Sequence, residues 1–429
     1  AKAGMASSAR CFAFVAHDTT MNPTSKIVAL SSAIAFGLQI ALALLMLRYF
    51  SPEEVGTFSV ISQIGFFWTT LALAQAQLQL IANHGPNVLE DARLAWVGSI
   101  KRFIWLMPIA ALAVWSSGMS LISTLLWALL LSICQLTWML AQSMRLRMAN
   151  VWGQAGVRVL PPLIALLATS VAIYLHWDGL VLLSASLLGY AVGAAWLLPT
   201  FLKFPHSNSG DICIVSHDEV STSSRKSTTT DDRSTALRTA HTLVDALLAT
   251  AIVVVWQRLY GEQETGWMAA PLRVMGFVPA VVHMAWVQVV LAQPQHTHTN
   301  PLWIGLGGAF SVALLGFSCA IALEIGWLGK DWKGVEPYLL PLMLWQGSAC
   351  LVAAFSHVPF KSHNAQKYSW VCICVSSLQG GILLLPDLHI FKPTSQMHML
   401  IFGSVSTFIF LVMSLYLTHM DKENSHSRT

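Results

Sequence analysis

The chain is unusually apolar for its 429 residues: 55% are hydrophobic, 10% are charged, and the mean hydropathy is +0.61. Soluble globular proteins carry about 25% charged residues, so this composition excludes a water-soluble domain and predicts a polytopic membrane protein. A net charge of +4 gives no indication of nucleic-acid binding. The seven cysteines stand at no metal-ligand spacing with histidine, so neither a metal nor a cofactor is expected.

Residues 1–25 precede the first apolar run and lack the apolar core and cleavage site of a secretory signal peptide. Both Met5 and Met21 are candidates for the natural start. We expect this segment to be disordered and assign it no function.

Twelve apolar runs follow, and each approaches the length of about 20 residues that spans a bilayer. They cover 26–47, 55–83, 101–117, 120–143, 156–175, 179–202, 239–259, 265–292, 302–324, 336–358, 368–386 and 397–419. Lipid offers the backbone no hydrogen-bond partner, so these runs are predicted to be helices. The predicted fold class is an all-α polytopic membrane protein.

One long polar insert, 203–238, follows the sixth run. It contains the stretch STSSRKSTTTDDRST, whose composition is typical of a flexible linker. The insert divides the chain into an N-lobe over 26–202 and a C-lobe over 239–419, each with six helices. A short tail, 420–429, follows the C-lobe.

Two charged segments resemble each other at a spacing of 210 residues. Elbow 1 is RYFSPEEVGTF at 48–58, and elbow 2 is RLYGEQETGWM at 258–268. Three identities and one aromatic match result, at Arg48/Arg258, Phe50/Tyr260, Glu54/Glu264 and Gly56/Gly266. Each elbow follows the first helix of its half, so the repeat predicts two lobes of the same orientation, as in transporters built from parallel repeats.

The loop charges predict how the bundle sits in the membrane. With the N-terminus inside, 18 of the 24 Lys and Arg residues lie on inner segments, five lie on outer segments, and Arg273 lies within the membrane. Cytoplasmic loops carry such an excess, so both termini and the linker are predicted to be cytoplasmic and both elbows to lie outside. Arg48 and Arg258 run against this trend.

Ionisable side chains inside a membrane are rare and mark functional sites. Arg273 lies in the eighth run, roughly 12 Å below the outer end. Asp245 lies near the inner end of the seventh run, one turn after His241, and His283 lies deeper in the eighth run. We take Arg273, Asp245 and His283 as candidate substrate-binding residues.

These residues also have structural alternatives. Asp245 could cap a helix end, and both histidines could be hydrogen-bonded packing residues. Arg158, at the inner end of the fifth run, is expected to extend its head group to the inner surface. Gln75, in LAQAQLQLIANHG, is a further substrate-binding candidate, because an amide pairs well with glycan hydroxyls; a neighbouring helix is the alternative partner.

The sequence offers no enzyme signature. No extramembrane segment is large enough to hold a catalytic domain, and GxxxxGK[ST], HExxH and CxxC motifs are all missing from the chain. Neither ATP-driven transport by this chain nor metal-dependent hydrolysis is therefore predicted. A transporter without enzymatic activity is expected.

The layout and the elbows resemble a known family. Twelve helices in two sets of six, with an R-x-(F/Y)-x-x-x-E-x-G segment after helices one and seven, resemble the Wzx-type O-antigen flippases. These belong to the MOP (multidrug/oligosaccharidyl-lipid/polysaccharide) superfamily, which also holds MATE exporters and lipid II flippases. The stretches RYFSPEEVGTFS, RLYGEQETGWMAAPLRVMGFVPA and IGWLGKDWKGVEPYLLPLMLWQ carry the resemblance, which covers 26–419. The chain departs from the pattern in its long linker and its N-terminal segment.

The resemblance implies a function. It implies translocation of an undecaprenyl-diphosphate-linked oligosaccharide, such as an O-antigen unit, across the bacterial inner membrane by alternating access. It also implies a positively charged cavity between the lobes, in which Arg273 would take part. Polysaccharide polymerase and chain-length proteins are the partners it implies, and H⁺ or Na⁺ coupling is left open.

Three other classes of membrane protein share this hydropathy. A MATE-like cation-coupled exporter of small molecules is the runner-up, although it would need deep carboxylates and only the shallow Asp245 qualifies. A polysaccharide polymerase or ligase would have a large outer loop, whereas the longest one here, around 326–335, is short. A major-facilitator transporter would carry GxxxD(R/K)xG(R/K) after helix two, and NHGPNVLEDARLAWVGSIKR does not match it.

Cysteine labelling tests the predicted orientation. In a cysteine-free background, a cysteine at Gly261 should react with an impermeant thiol reagent added to intact cells, whereas one at Ser224 should react only after permeabilisation. The reverse pattern would overturn the orientation.

Overall fold

The structure, a computed structural model, describes residues 23–74, 76–82, 87–148, 150–177, 179–199, 229–287, 300–361, 365–387 and 393–426. Within these residues the chain forms helices and turns and no strand. The N-terminal half contains α1 (Pro23–Tyr49), α2 (Pro52–Leu73), α3 (Ala76–Ala82), α4 (Val88–Trp105), α5 (Met107–Ser116), α6 (Leu121–Arg147), α7 (Val151–Tyr174) and α8 (Val181–Ala195). The C-terminal half contains α9 (Thr229–Val281), α10 (Pro301–Glu324), α11 (Glu336–Phe355), α12 (Val358–Lys361), α13 (Ala365–Leu384) and α14 (Ser395–His426).

Among the described residues, eight helices are long and apolar enough to cross a membrane, or nine if the bent pair α4 and α5 forms one span. One of the eight, the 42-residue stretch Ala240–Val281 of α9, is twice the length that a bilayer needs. Gly261 divides it into two helices, because its φ of +86° and ψ of −178° are not helical. Together with the apolar α8 and with α13, helices overlap all twelve predicted spans, so the all-α polytopic fold is confirmed.

The described residues cover the predicted domain boundaries only in part. Helix α9 begins at Thr229, before the predicted start of the C-lobe, and α14 continues to His426. Residues 1–22 and 200–228, which hold the N-terminal segment and most of the predicted linker, lie outside the described residues. The boundaries therefore stay predictions.

The same helix pairings occur in both halves. In the N-terminal half, α1 packs on α7, α2 on α6, and α6 on α8. In the C-terminal half, α9 packs on both α13 and α11, and α11 packs on α14. The first half of α9 (229–260) corresponds to α1 and its second half (262–281) to α2, so these contacts repeat one arrangement. The repeat predicted from the elbows is thus also a repeat of helix packing.

Elbow 1 is the start of a helix, for local reasons that its sequence shows. The backbone N–H of Ser51 donates to the Glu54 carboxylate at 2.9 Å, and the N–H of Glu54 donates to the Ser51 hydroxyl at 3.3 Å. Such a reciprocal capping box satisfies two backbone donors that the helix itself leaves free. Pro52, at the first helical position, loses no hydrogen bond there.

The two elbows lie against each other, backbone to backbone. A Cβ on Gly56 would overlap the carbonyl oxygen of Glu262 and come within 3.0 Å of the nitrogen of Gly266. A Cβ on Gly266 would overlap the carbonyl oxygen of Pro52. At the two glycines matched by the 210-residue shift, the backbones of the two lobes are therefore in direct contact. We call this end of the bundle the elbow end.

From this point α2 and the second half of α9 run side by side as the most extensive helix pairing of the described chain. The largest hydrophobic core lies around them and crosses the boundary between the lobes. Its buried members include Val55 and Phe58 of α2, Met268 of α9, and Trp332 and Tyr338 near the start of α11. The lobes are thus tightly joined at the elbow end.

Gly261 has a positive φ, so a cysteine at that position would be strained. Gln263, two residues further on, is exposed. A cysteine there would test the predicted orientation in the same labelling experiment without this strain.

Adding one methyl group tests the elbow contact. Gly56→Ala and Gly266→Ala should each destabilise the closed elbows by on the order of 1–3 kcal/mol, because the new Cβ overlaps backbone atoms that have no rotamer to escape into. The unfolding midpoint of the purified protein in detergent should fall in both variants.

Gly98→Ala is the matched control, because a Cβ there meets no atom within 4 Å. Alanine in a helix interior should stabilise this variant by roughly 0.5–1 kcal/mol. A Gly56→Ala midpoint equal to that of the unsubstituted protein would contradict the elbow contact.

Candidate functional site

Arg273 lies between the lobes, on the second half of α9. Its Nη2 donates to the hydroxyl of Ser62 at 3.3 Å, and its guanidinium lies 4.6 Å from the ring centre of Phe58. Phe58 and Ser62 are one turn apart on α2, so the side chain of Arg273 extends from the C-lobe onto the N-lobe. Arg273, one of the substrate-binding candidates predicted from the sequence, therefore lies at the lobe boundary.

Among the described residues Arg273 has no ion-pair partner. In the described part of the chain no carboxylate lies within 4 Å of its guanidinium. The phenol of Tyr190, on α8 of the N-lobe, lies within electrostatic range. An uncompensated cation inside a membrane protein is costly, and such residues are retained where an anion or a pathway needs them.

The loop before α11 closes over elbow 1. Trp332 donates its indole N–H to the carbonyl oxygen of Phe50 at 3.1 Å. Arg48 donates to the carbonyl oxygen of Trp327, and its guanidinium lies 5.7 Å from the centre of that indole. Each of these contacts joins the N-lobe to the C-lobe, so the elbow end is closed in this conformation.

Elbow 2 is fastened within the C-lobe. The hydroxyl of Tyr338 donates to the carboxylate of Glu264, and the indole of Trp267 donates to the carbonyl oxygen of Asp331 at 2.8 Å. Arg258 forms an ion pair with Asp387 at 3.5 Å. The two arginines that oppose the predicted charge bias, Arg258 here and Arg48 above, are thus accounted for by contacts at the elbow end.

A cavity of about 140 Å³ also lies at the elbow end. Three carboxylates line it, those of Glu53, Glu54 and Glu262, together with the loop before α8. These three carboxylates would repel an anion, so this cavity is unsuited to an anionic substrate. The candidate site for an anion remains the lobe boundary at Arg273.

Asp245 faces α13 within the C-lobe. One carboxylate oxygen pairs with His241 Nε2 at 2.9 Å, and the other accepts a hydrogen bond from Ser376 at 2.7 Å. The aromatic ring of Tyr368 meets the imidazole edge to face, with ring centres 6.0 Å apart. Asp245 and His241 thus form a cluster of ionisable groups that does not include Arg273.

His283 lies in a π-helical turn, Val282–Val287, that follows α9. Its Nδ1 is 3.0 Å from the hydroxyl of Ser356, and the neighbouring Trp286 donates to the carbonyl oxygen of Ala354 at 3.1 Å. Both partners lie at the end of α11, so His283 contacts its own lobe. Neither it nor Asp245 is brought together with Arg273.

Gln75 lies outside the described residues. Ala74 beside it has a left-handed φ of +42°, and Arg102 donates to the freed carbonyls of Ala72 and Leu73 at 2.7 and 3.1 Å. The predicted role of Gln75 stays a prediction.

The residues that the sequence did not indicate are those that receive Arg273. Ser62 and Phe58 belong to an ordinary apolar run, and only their spacing of four residues could have placed them on one face. Which helix meets that face is a property of the packed lobes.

No known protein-family model and no curated protein matches the sequence. Among solved structures, the chain is similar to the lipid II flippase MurJ in an inward closed conformation, with a TM-score of 0.60 at 12% identity over 92% of this chain and 87% of that one. Inward-facing and outward-facing structures of a multidrug-resistance MATE-family transporter of the MOP superfamily each give a TM-score of 0.44, at 12% and 14% identity. These alignments cover 92% and 94% of this chain and 95% and 98% of theirs. The likeness to MurJ is one of fold, and the chain has the two-lobed helical fold of that flippase.

Proposed function

We propose that the protein is a flippase that moves a polyprenyl-diphosphate-linked oligosaccharide from the inner to the outer leaflet of a bacterial inner membrane. An O-antigen or other surface polysaccharide unit is the substrate we favour, and the protein acts as a transporter without enzymatic activity. The observation that carries the proposal is Arg273, a cation held between the lobes against neutral partners.

The chemistry of the substrate fits this cation. A diphosphate is anionic, and its sugar head group cannot cross about 30 Å of hydrocarbon unaided. A guanidinium can bind a phosphate through two parallel hydrogen bonds, which are stronger than the single bond to the neutral hydroxyl of Ser62. The diphosphate would therefore replace Ser62 as the partner of Arg273.

This exchange would couple binding to motion. In the elbow-closed conformation Arg273 contributes to the contact between the lobes through Ser62 and Phe58. Taking Arg273 away from α2 removes that contact, so binding of the diphosphate favours separation of the lobes. Rocking of one lobe against the other around a fixed site is the mechanism expected of parallel-repeat transporters.

The energy source is part of the proposal. The cluster of His241, Asp245 and Ser376 joins α9 to α13 inside the C-lobe. We assign H⁺ or Na⁺ coupling to this cluster, and substrate binding to Arg273. Polymerase and chain-length proteins would take the glycan after release.

Replacing Arg273 tests substrate binding. In cells that lack the native gene, Arg273→Ala should lower surface-glycan assembly by at least about tenfold, because a charge-assisted hydrogen bond is lost. Arg273→Lys keeps a point charge and should retain part of the activity. Membrane insertion should stay intact in both variants.

The exposed Arg93 on α4 is the matched control, since Arg93→Ala removes one positive charge without touching the lobe boundary. Normal glycan assembly with Arg273→Ala would exclude Arg273 from substrate binding. A MATE-like exporter, the second candidate, would give a different result: deleting the gene would change drug sensitivity and leave the surface glycan unchanged.

Replacing Asp245 tests the coupling. In proteoliposomes, the rate at which a fluorescent isoprenyl-diphosphate sugar is flipped should rise when a pH or Na⁺ gradient is imposed. Asp245→Asn should lose this response, because the amide carries no negative charge to balance a cation and takes up no proton. Ser376→Ala, which keeps the carboxylate, should weaken the response and not abolish it. A full response in Asp245→Asn would place the coupling elsewhere.

A further inference from the structure

Arg158 is a second arginine inside the bundle. It lies seven residues after the start of α7 at Val151, which is roughly 10 Å along the helix. The sequence predicts that its head group reaches the inner surface. In the structure its Nη1 donates to the hydroxyl of Ser32 on α1, at 2.8 Å.

The face of α1 that receives Arg158 looks toward the other lobe. Phe36 lies one turn beyond Ser32 on the same face, and its ring meets the ring of Phe277 edge to face, with centres 5.7 Å apart. Phe277 belongs to the second half of α9, in the C-lobe. Ser32, and with it the head group of Arg158, therefore lies one turn from a contact between the lobes.

The two arginines stand at different depths of this boundary. On α9, Phe277 lies one turn, about 6 Å, further from the elbow end than Arg273. On α1, which runs toward the elbow end, Ser32 lies one turn further from that end than Phe36. The order from the elbow end is thus Arg273, then the Phe36–Phe277 pair, then Ser32 with Arg158.

The surroundings of the two guanidiniums also differ. The guanidinium of Arg273 packs against Phe58 and Ser62 of α2. From the end of the bundle opposite the elbows, it lies behind the Phe36–Phe277 pair. Arg158 lies on the near side of the pair, and Ser32, its hydroxyl partner, is exposed. Within the described residues no carboxylate lies within 4 Å of Arg158. In the elbow-closed conformation Arg158 is the more accessible cation.

We propose that Arg158 is the loading site for the diphosphate, which it binds in the elbow-closed conformation before the anion reaches Arg273. This inference rests on the proposed function and adds an order to it. The diphosphate first replaces Ser32 at Arg158. It then passes to Arg273 as the Phe36–Phe277 contact opens, and its binding there favours the separation of the lobes.

Binding of farnesyl diphosphate to the purified full-length protein in detergent tests the order, with farnesol as the uncharged comparison. Arg158→Gln should weaken the affinity for farnesyl diphosphate by at least about tenfold, since a charge-assisted hydrogen bond is lost. Arg273→Gln should weaken it by less than about threefold, because Arg273 is not yet the partner of the anion. In the proteoliposome assay both variants should lose flipping.

Helices α1 and α7 pack along much of their length, so Arg158→Gln should leave their contact in place. Arg158→Lys, which keeps the charge, should bind with intermediate affinity, and Arg93→Gln should bind like the unsubstituted protein. Equal unfolding midpoints in these variants would show that the effects are local.

Three results would count against the inference. Unchanged affinity in Arg158→Gln would overturn it and leave the proposed function in place, as would an equal or larger loss of affinity in Arg273→Gln. Failure of the unsubstituted protein to prefer farnesyl diphosphate over farnesol would overturn the proposed function, and the loading site with it.

Discussion

The close approach of Gly56 and Gly266 sets the geometry of the boundary between the lobes. Only glycine allows the backbones of α2 and α9 to touch there. Both helices run away from this contact side by side, and Ser62 and Arg273 come six and seven residues after their glycines. At 1.5 Å per residue these positions lie at nearly the same depth. The hydrogen bond between Arg273 and Ser62 is thus a consequence of the glycine contact.

In the described part of the chain, the contacts that close the elbow end place no carboxylate beside Arg273 or Arg158. The indole of Trp332 and the guanidinium of Arg48 donate to backbone carbonyls of the other lobe, at Phe50 and Trp327. These bonds hold the closed state without a carboxylate. Three carboxylates of the elbows line the small acidic cavity, and that of Glu264 accepts the hydrogen bond from Tyr338. In the proposed function, Arg273 would attract an anion more strongly there than in water, because the dielectric constant inside the bundle is lower.

The sequence identified the cation at the lobe boundary but not its neighbours. Arg273 stood out because an arginine this deep in an apolar run is costly, whereas Ser62 and Phe58 resemble any other residues of their run. The sequence did not identify Ser32 as the partner of Arg158, because depth along a helix does not tell which helix lies opposite. Asp245 and His241 could be paired from their spacing of four residues, while their contact with α13 required the packed lobe.

The amino-acid sequence by itself determined the membrane location, the helical class and the two-fold repeat, because hydrophobic length and the spacing of the elbows are properties of the chain alone. It also determined where α2 begins, since Ser51 and Glu54 cap it locally. Only the tertiary structure decided that the elbows touch, which cation meets which lobe, and that the Phe36–Phe277 pair separates two arginines. These depend on contacts between residues up to about 240 positions apart along the chain, which no local pattern encodes.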